Sequence, residues 1–242
     1  MLRILFPLRC AGCGSGAWPF CSACLPTLIA FEPPWCGSCG LPSVRPRATC
    51  PECPAGVLDV TRSAFLFDGA ARSAVHRLKF SGWRPVADAL ASAMTTLLPE
   101  AIADAVVTWV PLSRERLSAR GFDQARLLAE AVAARAGRPS RRLVSRVADI
   151  GPQARRTGPQ RRAAVARLFV ATGAAPPRVI LVDDVVTTGA TAAACASALR
   201  AAGAGQVVLL TAARSVSARL PPRYTRRGPA RGAVVAREVA SR

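Results

Sequence analysis

Apolar and polar positions along the 242-residue chain change rhythm at about residue 60. Before it, short apolar stretches are broken every few residues by Cys, Pro or Gly, and neither a helical nor a strand period is sustained. Beyond it, strand-like and helix-like stretches alternate. Residues 63–67 read as a short strand, and a helical stretch opens at Asp68 or Gly69 and ends near Phe80. A second helix is expected over 85–98. AVVTWV (105–110) is a buried strand, followed by a long polar loop and a helix from about 122 to 136. Short strands are expected at 143–147 and 168–171, and the clearest buried strand at 179–182. A helix over 190–202 and a strand over 206–211 complete the series. Strands separated by helices predict an α/β fold with a parallel sheet and right-handed crossovers. Ligands of such sheets gather at the carboxyl ends of strands, which directs attention to the loops after Val110 and Val182.

Two stretches break this rhythm. Residues 149–167 combine Gly151, Pro152, Gly158 and Pro159 with Arg155, Arg156, Arg161, Arg162 and Arg167 and have no clean period. A basic loop of that length is expected to be disordered, a lid that closes over an anion, or both in turn. Residues 215–242 carry seven arginines against one acid, Glu238, and read as a mostly disordered basic tail. The expected organisation is therefore a cysteine module (1–60), an α/β domain (61–214) and the tail (215–242).

Composition adds a charge. The chain has 33 basic and 14 acidic residues, a formal +19, and Lys79 is its only lysine. That field attracts polyanions on any fold, so nucleotides, pyrophosphate and nucleic acid are all candidates. A hydrophobic content of 51% fills a core and argues against wholesale disorder. MLRILFPL is too short for a signal-peptide core and lacks a small-residue cleavage site. The apolar run 189–213 is interrupted by Arg200 and divided by Gly203 and Gly205, so no membrane span is expected and the location is read as cytoplasmic.

In that compartment thiols favour metal over disulfides. Four C-x-x-C pairs stand in the first 53 residues: Cys10/Cys13, Cys21/Cys24, Cys36/Cys39 and Cys50/Cys53. Two such turns complete a tetrahedral site of four thiolates, so four pairs predict two structural Zn²⁺ ions. Gly14 and Gly40 follow the first and third pairs and favour sequential pairing, with a cross-braced arrangement as the alternative. A segment this short and rich in Pro and Gly needs the metals to fold. Residues 1–60 have a formal charge of +1, and two four-thiolate zinc sites take the module to about −3, so it is not the polyanion-binding part. Cys195, in an apolar helix, reads as a small core residue.

ILVDDVVTTGAT (180–191) carries the most specific chemistry. A buried strand delivers Asp183 and Asp184, whose carboxylates suit two vicinal hydroxyls and a water-bridged divalent ion. Thr187, Thr188 and Gly189 form a turn that aims N–H groups inward, and Ala190 and Thr191 open a helix whose N-terminus favours phosphate. Hydroxyl acceptors beside a phosphate cradle describe a ribose 5-phosphate site.

This block resembles the signature of type I phosphoribosyltransferases. The chain from residue 1 to about 214 resembles the ComF family, competence-associated phosphoribosyltransferase-like proteins with an N-terminal double zinc ribbon. Beyond the cysteine pairs, the resemblance rests on HRLKF (76–80), VPLSRERLSARGFDQA (110–125), and Pro152, Gln153, Arg161 and Phe169. It implies a parallel-sheet type I phosphoribosyltransferase fold that binds phosphoribosyl pyrophosphate with Mg²⁺. It implies that Pro111, Leu112, Ser113 and Arg114 lie near the pyrophosphate, that Arg120, Gly121 and Gln124 are anion contacts, and that Lys79 approaches the same site. It implies further that the loop around Arg161 is a catalytic hood and that Asp183 and Asp184 hold the ribose. Asp123 and Ala164 stand where the family commonly has Asn. Thr187 stands where purine-salvage relatives carry an Asp base, so a purine-type mechanism is excluded while orotate-type chemistry, which also lacks that base, is not. His76 reads as a helix-face residue.

Three functions compete on this reading. One is a Mg²⁺-dependent phosphoribosyltransferase of unknown acceptor. The second is a non-catalytic DNA-uptake factor that grips single-stranded DNA through basic loops and meets DNA-uptake proteins, although an aromatic content of 5% offers few stacking platforms. The third, a zinc adaptor, predicts no affinity for phosphoribosyl pyrophosphate.

Overall fold

The computed structural model describes residues 8–51, 53, 56–102, 104–147, 168–216, 220 and 224. Four strands build a central sheet: β1 (Val60–Leu66), β2 (Val106–Trp109), β5 (Arg178–Val186) and β6 (Gln206–Arg214), in the order β1-β6-β5-β2 and all parallel. The α/β class with a parallel sheet is thus as the periodicity predicts. Val179–Val182 of β5 and Val207–Leu210 of β6 are fully buried, as expected of central strands covered on both faces. Each such aliphatic side chain contributes roughly 1.5–3 kcal/mol by leaving water.

One face is covered by α1 (Gly69–Phe80), α2 (Pro85–Thr95) and α4 (Gln124–Ala136), which share a core with Ile180, Val182, Val208 and Leu210. The other is covered by α5 (Ala190–Ala201), with Leu199 and the fully buried Cys195 against Leu181 and Leu209. The helix after β2 therefore lies on one face and the helix after β5 on the other. Their loops thus diverge between neighbouring strands, the arrangement that in parallel sheets directs ligands to the carboxyl ends of β2 and β5.

Three expectations change. The polar stretch after β2 is not a long loop, because Arg114–Arg120 form α3, closed by Gly121 at φ +74°. The short strands expected at 143–147 and 168–171 exist as β3 (Val144–Arg146) and β4 (Phe169–Ala171), but they pair with each other, antiparallel and outside the parallel sheet. Phe169 and Val144 pack into the α5 side of the core, which anchors this strand pair. The strand of the motif does not stop at Val182. It runs to Val186 because Asp183, Val185 and Val186 keep their pairing with Thr211, Ala213 and Arg214 of β6.

The cysteine module packs into the α/β core. Cys10, Ala11, Phe20, Leu28 and Ala30 belong to the same buried cluster as Phe65, Ala71, Val75 and Leu78. Residues 29–31 lie antiparallel along the free edge of β1, where Phe31 N–H donates to Ala64 O and Leu66 N–H to Ile29 O. This covers an edge that would otherwise present unpaired main-chain groups. The Thr27 hydroxyl accepts the Ala70 N–H at 3.1 Å and donates to Cys24 O at 2.8 Å, capping α1 from outside. Gly69 (φ +51°) is required there, since a Cβ would stand 2.6 Å from the Thr27 carbonyl oxygen. Within the stretch expected to be a basic tail, Tyr224 is buried; its hydroxyl donates to Glu32 O at 2.7 Å and its ring lies 5.7 Å from that of Phe31. Among the described residues no helix is long and apolar enough to cross a membrane.

Candidate functional site

At the end of β5 the two carboxylates project to opposite faces of the strand, as neighbours on a strand must. Asp184 faces α1 and is only 4% exposed; its Oδ1 lies 2.8 Å from Lys79 Nζ. Its Oδ2 is buried without a hydrogen-bond partner among the described residues. Asp183 faces α5, and its Oδ1 accepts the Asp184 N–H at 2.8 Å. Loss of hydration, reinforced by the Asp184 charge, pushes Asp183 well above the usual carboxylate range against the pull of that N–H and of Lys79. Asp123 adds a third acidic group to this field and is itself raised, chiefly by burial.

Beyond the strand, Thr187 and Thr188 are exposed, and Gly189 (φ +76°) is the N-cap of α5. Glycine is needed for that left-handed turn. No side chain caps this helix in the usual sense; the Thr188 hydroxyl accepts only a long 3.4 Å bond from Ala190 N–H. Thr191 stands exposed in the first turn. Among the described residues the first turn of this twelve-residue helix meets only that one long side-chain contact, so its N-terminus suits an anion.

The neighbouring loop supplies Pro111, Leu112 and Ser113 between β2 and α3. Ser113 is buried, and its hydroxyl accepts Arg116 N–H at 3.3 Å, so it caps α3 instead of standing free for a ligand. Arg114 is exposed at the start of α3. Asp123 organises this corner. One oxygen accepts Leu112 N–H at 3.2 Å; the other accepts Ala125 and Arg126 N–H at 3.0 and 3.3 Å and caps α4. Arg120 donates to Gln124 Oε1 at 3.0 Å and lies 5.1 Å over the Phe80 ring. The structure thus brings Lys79, Asp183, Asp184, the 111–114 loop and the 187–191 turn to one end of the sheet. Arg161, and with it the expected hood of residues 149–167, lies outside the described residues.

The eight paired cysteines form two clusters, Cys10, Cys13, Cys21, Cys24 and Cys36, Cys39, Cys50, Cys53, each with its four sulfurs within 4.8 Å of one another. The pairing is sequential. Sγ–Sγ distances of 3.7 Å (Cys13–Cys21), 3.4 Å (Cys36–Cys53) and 3.3 Å (Cys39–Cys50) are close to the ~3.8 Å edge of a tetrahedron with ~2.3 Å metal–sulfur bonds. Each cluster can hold one ion with no open position. The Ser15 hydroxyl, with the Gly16 and Ser15 amides, holds the Cys13 thiol down to about 5, which favours the thiolate.

Sequence reasoning misses how these clusters are tied to the domain. Arg77 of α1 donates to Gly12 O at 3.2 Å and Cys13 O at 2.6 Å. Arg62 of β1 donates to Gly37 O at 2.9 Å, and Arg214 of β6 donates to Cys39 O. Three arginines therefore meet the carbonyls of the turns that carry the two cysteine clusters. No local signal marks them, because each contact spans 25 residues or more.

Neither a family model nor a curated protein matches the chain. Among solved structures, one titled "Structure of the allosteric regulatory enzyme of purine biosynthesis" is similar over 52% of this chain, with 22% sequence identity and a TM-score of 0.38; the chain spans 25% of that protein's length.

Proposed function

We propose that the chain is a phosphoribosyltransferase-like protein that binds phosphoribosyl pyrophosphate with Mg²⁺ in the crevice between β2 and β5 and transfers the phosphoribosyl group. One observation carries this reading. The buried Asp184, with one oxygen unpartnered, and Asp183 end the strand that leads through the 187–189 turn into α5, whose N-cap is a glycine without a side-chain cap. Hydroxyl acceptors next to an anion cradle fit ribose 5-phosphate, and Lys79 with the 111–114 loop lies where pyrophosphate would leave. Bound Mg²⁺ would supply charge neutralisation on the pyrophosphate, held through the Asp183–Asp184 end of the strand. The chain's own task is positioning: Asp183 and Asp184 fix the ribose hydroxyls, and the α5 amides hold the 5-phosphate. Transfer breaks the bond from C1 of the ribose to pyrophosphate and forms one to the acceptor, whose proton leaves to solvent, since Thr187 is no base near neutral pH.

The two cysteine clusters would hold two structural Zn²⁺ ions, consistent with a ComF-type double ribbon acting in the cytoplasm, where thiols stay reduced. Equilibrium dialysis with labelled phosphoribosyl pyrophosphate tests the pocket. Mg²⁺-dependent retention, abolished by Asp183→Asn/Asp184→Asn, is the expected result, and retention unchanged in that variant contradicts it.

A second reading, a DNA-uptake factor binding single strands, has its own observation. Flat groups form a continuous ladder on the outer face of α1: Arg72 over Phe67 (5.9 Å), Phe67 on His76 (6.1 Å), His76 on Phe80 (5.5 Å) and Phe80 under Arg120 (5.1 Å). Phe80 is 68% exposed, which suits it to stacking on an unpaired base. Loss of single-strand affinity in Phe80→Ala with phosphoribosyl pyrophosphate binding intact would separate the two functions.

A further inference from the structure

A cavity of about 340 Å³ lies beside the loop after β2 and shares Pro111 and Leu112 with that loop. Trp109, Leu112, Phe122, Arg84, Arg126 and Arg142 line it, whereas Asp183, Asp184, Thr187 and Thr188 do not. Its volume is in the range of small-molecule sites, roughly 300–1,000 Å³.

The lining is specific in its chemistry. Two acidic groups face the cavity, and both are already engaged. Asp123 accepts three main-chain N–H groups, and Glu130 holds Arg126 at 2.7 Å. Arg126 in turn lies 5.8 Å over the Trp109 ring. Arg142 donates from Nε to Val144 O at 3.5 Å, and among the described residues neither Arg84 nor Arg142 meets a carboxylate. The rest of the lining is the Trp109 indole, apolar walls at Leu112, Phe122 and Leu127, and the exposed guanidiniums of Arg84 and Arg142, which meet no carboxylate among the described residues. A guanidinium pairs with a carboxylate or phosphate through two parallel hydrogen bonds, and an indole stacks on a planar ring.

We infer that this cavity is an effector site for a small flat aromatic anion, a ring system bearing one carboxylate or phosphate group. Its occupant would be felt at the pyrophosphate loop. Leu112 both lines the cavity and hangs its amide on Asp123, and Asp123 fixes the start of α4. A ligand that shifts Leu112 or Phe122 therefore shifts the backbone next to Ser113 and Arg114. This coupling rests on the proposed phosphoribosyl pyrophosphate site, whereas the cavity's own ligand does not.

Calorimetric titration of the full chain with indole-3-acetate and with phenyl phosphate tests the site, the two probes distinguishing carboxylate from phosphate recognition. Binding of at least one probe is expected, weakened tenfold or more in Arg84→Gln/Arg142→Gln and in Trp109→Leu, with neutral indole binding worse than either anion. Both arginines are exposed, so their glutamine variants leave the core intact. Asp183→Asn/Asp184→Asn should leave probe binding unchanged, which keeps this test independent of the ribose pocket. Saturating probe should change the affinity for phosphoribosyl pyrophosphate several-fold, reciprocally. No heat with either anion, or equal heat in the arginine variant, overturns the site. Probe binding lost in the aspartate variant would assign the probe to the ribose pocket and also overturn it. Unchanged phosphoribosyl pyrophosphate affinity beside bound probe overturns the effector role.

Discussion

Lys79 Nζ stands 2.8 Å from Asp184 Oδ1 and joins the last turn of α1 to the end of β5. The carboxylate is almost wholly buried, while the lysine side chain keeps 21% of its exposure. Breaking a buried pair by removing one partner costs about 3–5 kcal/mol. Solvent at the lysine reduces this, so Lys79→Met is expected to cost about 1–3 kcal/mol. Adding Asp184→Asn removes the stranded charge, and the double variant should recover part of the loss. Urea unfolding of the four proteins measures this, and strictly additive effects would contradict the pairing.

Asp183 gives a pH signature of definite sign. Burial and the Asp184 charge raise its folded-state pKa. Its protonated form is therefore favoured by folding, and ionisation destabilises the fold as pH rises above the ordinary carboxylate value. Asp183→Asn should stabilise the ligand-free protein at neutral pH, by roughly 2–4 °C in Tm for each kcal/mol gained. That gain should shrink as pH falls and vanish below about 4. A melting series from pH 4 to 8 shows it, and a gain that grows toward acid would reverse the assignment.

The cysteine clusters predict two metal equivalents per chain. Cys10, Phe20 and Leu28 share a core with α1 and β1, and Thr27 caps α1. Chelation should therefore unfold or loosen the α/β domain together with the module. Elemental analysis should find about two Zn²⁺ per chain, and calorimetry with a chelator should lower one joint transition. Loss of metal with the α/β melting point unchanged would show that the module is energetically separate.

Asp123 separates two roles in one substitution. Asn at this position can still accept from Ala125 and Arg126, but its amide nitrogen cannot accept the Leu112 N–H. Asp123→Asn should cost about 1 kcal/mol and selectively speed hydrogen exchange at Leu112. Asp123→Ala should cost more, because the α4 cap, worth about 0.5–2 kcal/mol, is lost as well. Equal exchange at Leu112 in wild type and Asp123→Asn would remove Asp123 from the loop.

What was legible in the sequence was local. The C-x-x-C pairs and the DD-to-TTG block announce themselves because their chemistry depends on residues a few positions apart. Helix α3 stayed hidden because none of its residues is buried, so RERLSAR presents no apolar period; only Ser113 and Gly121 mark its ends. The strands at 144–146 and 169–171 were visible as strands, but their antiparallel partnership was not, since pairing is a long-range property. The reach of Lys79 to Asp184 and of Tyr224 to Glu32 spans about 105 and 192 residues, and no window of sequence contains either.

The most direct test of the central claim is calorimetric titration with phosphoribosyl pyrophosphate in the presence and absence of Mg²⁺, on wild type and on Asp183→Asn/Asp184→Asn. The geometry at the end of β5 predicts saturable, Mg²⁺-dependent heat in the wild type that disappears in the variant while its fold, checked by circular dichroism, is retained. No heat in the wild type, or identical heat in the variant, would contradict a ribose 5-phosphate pocket at Asp183 and Asp184.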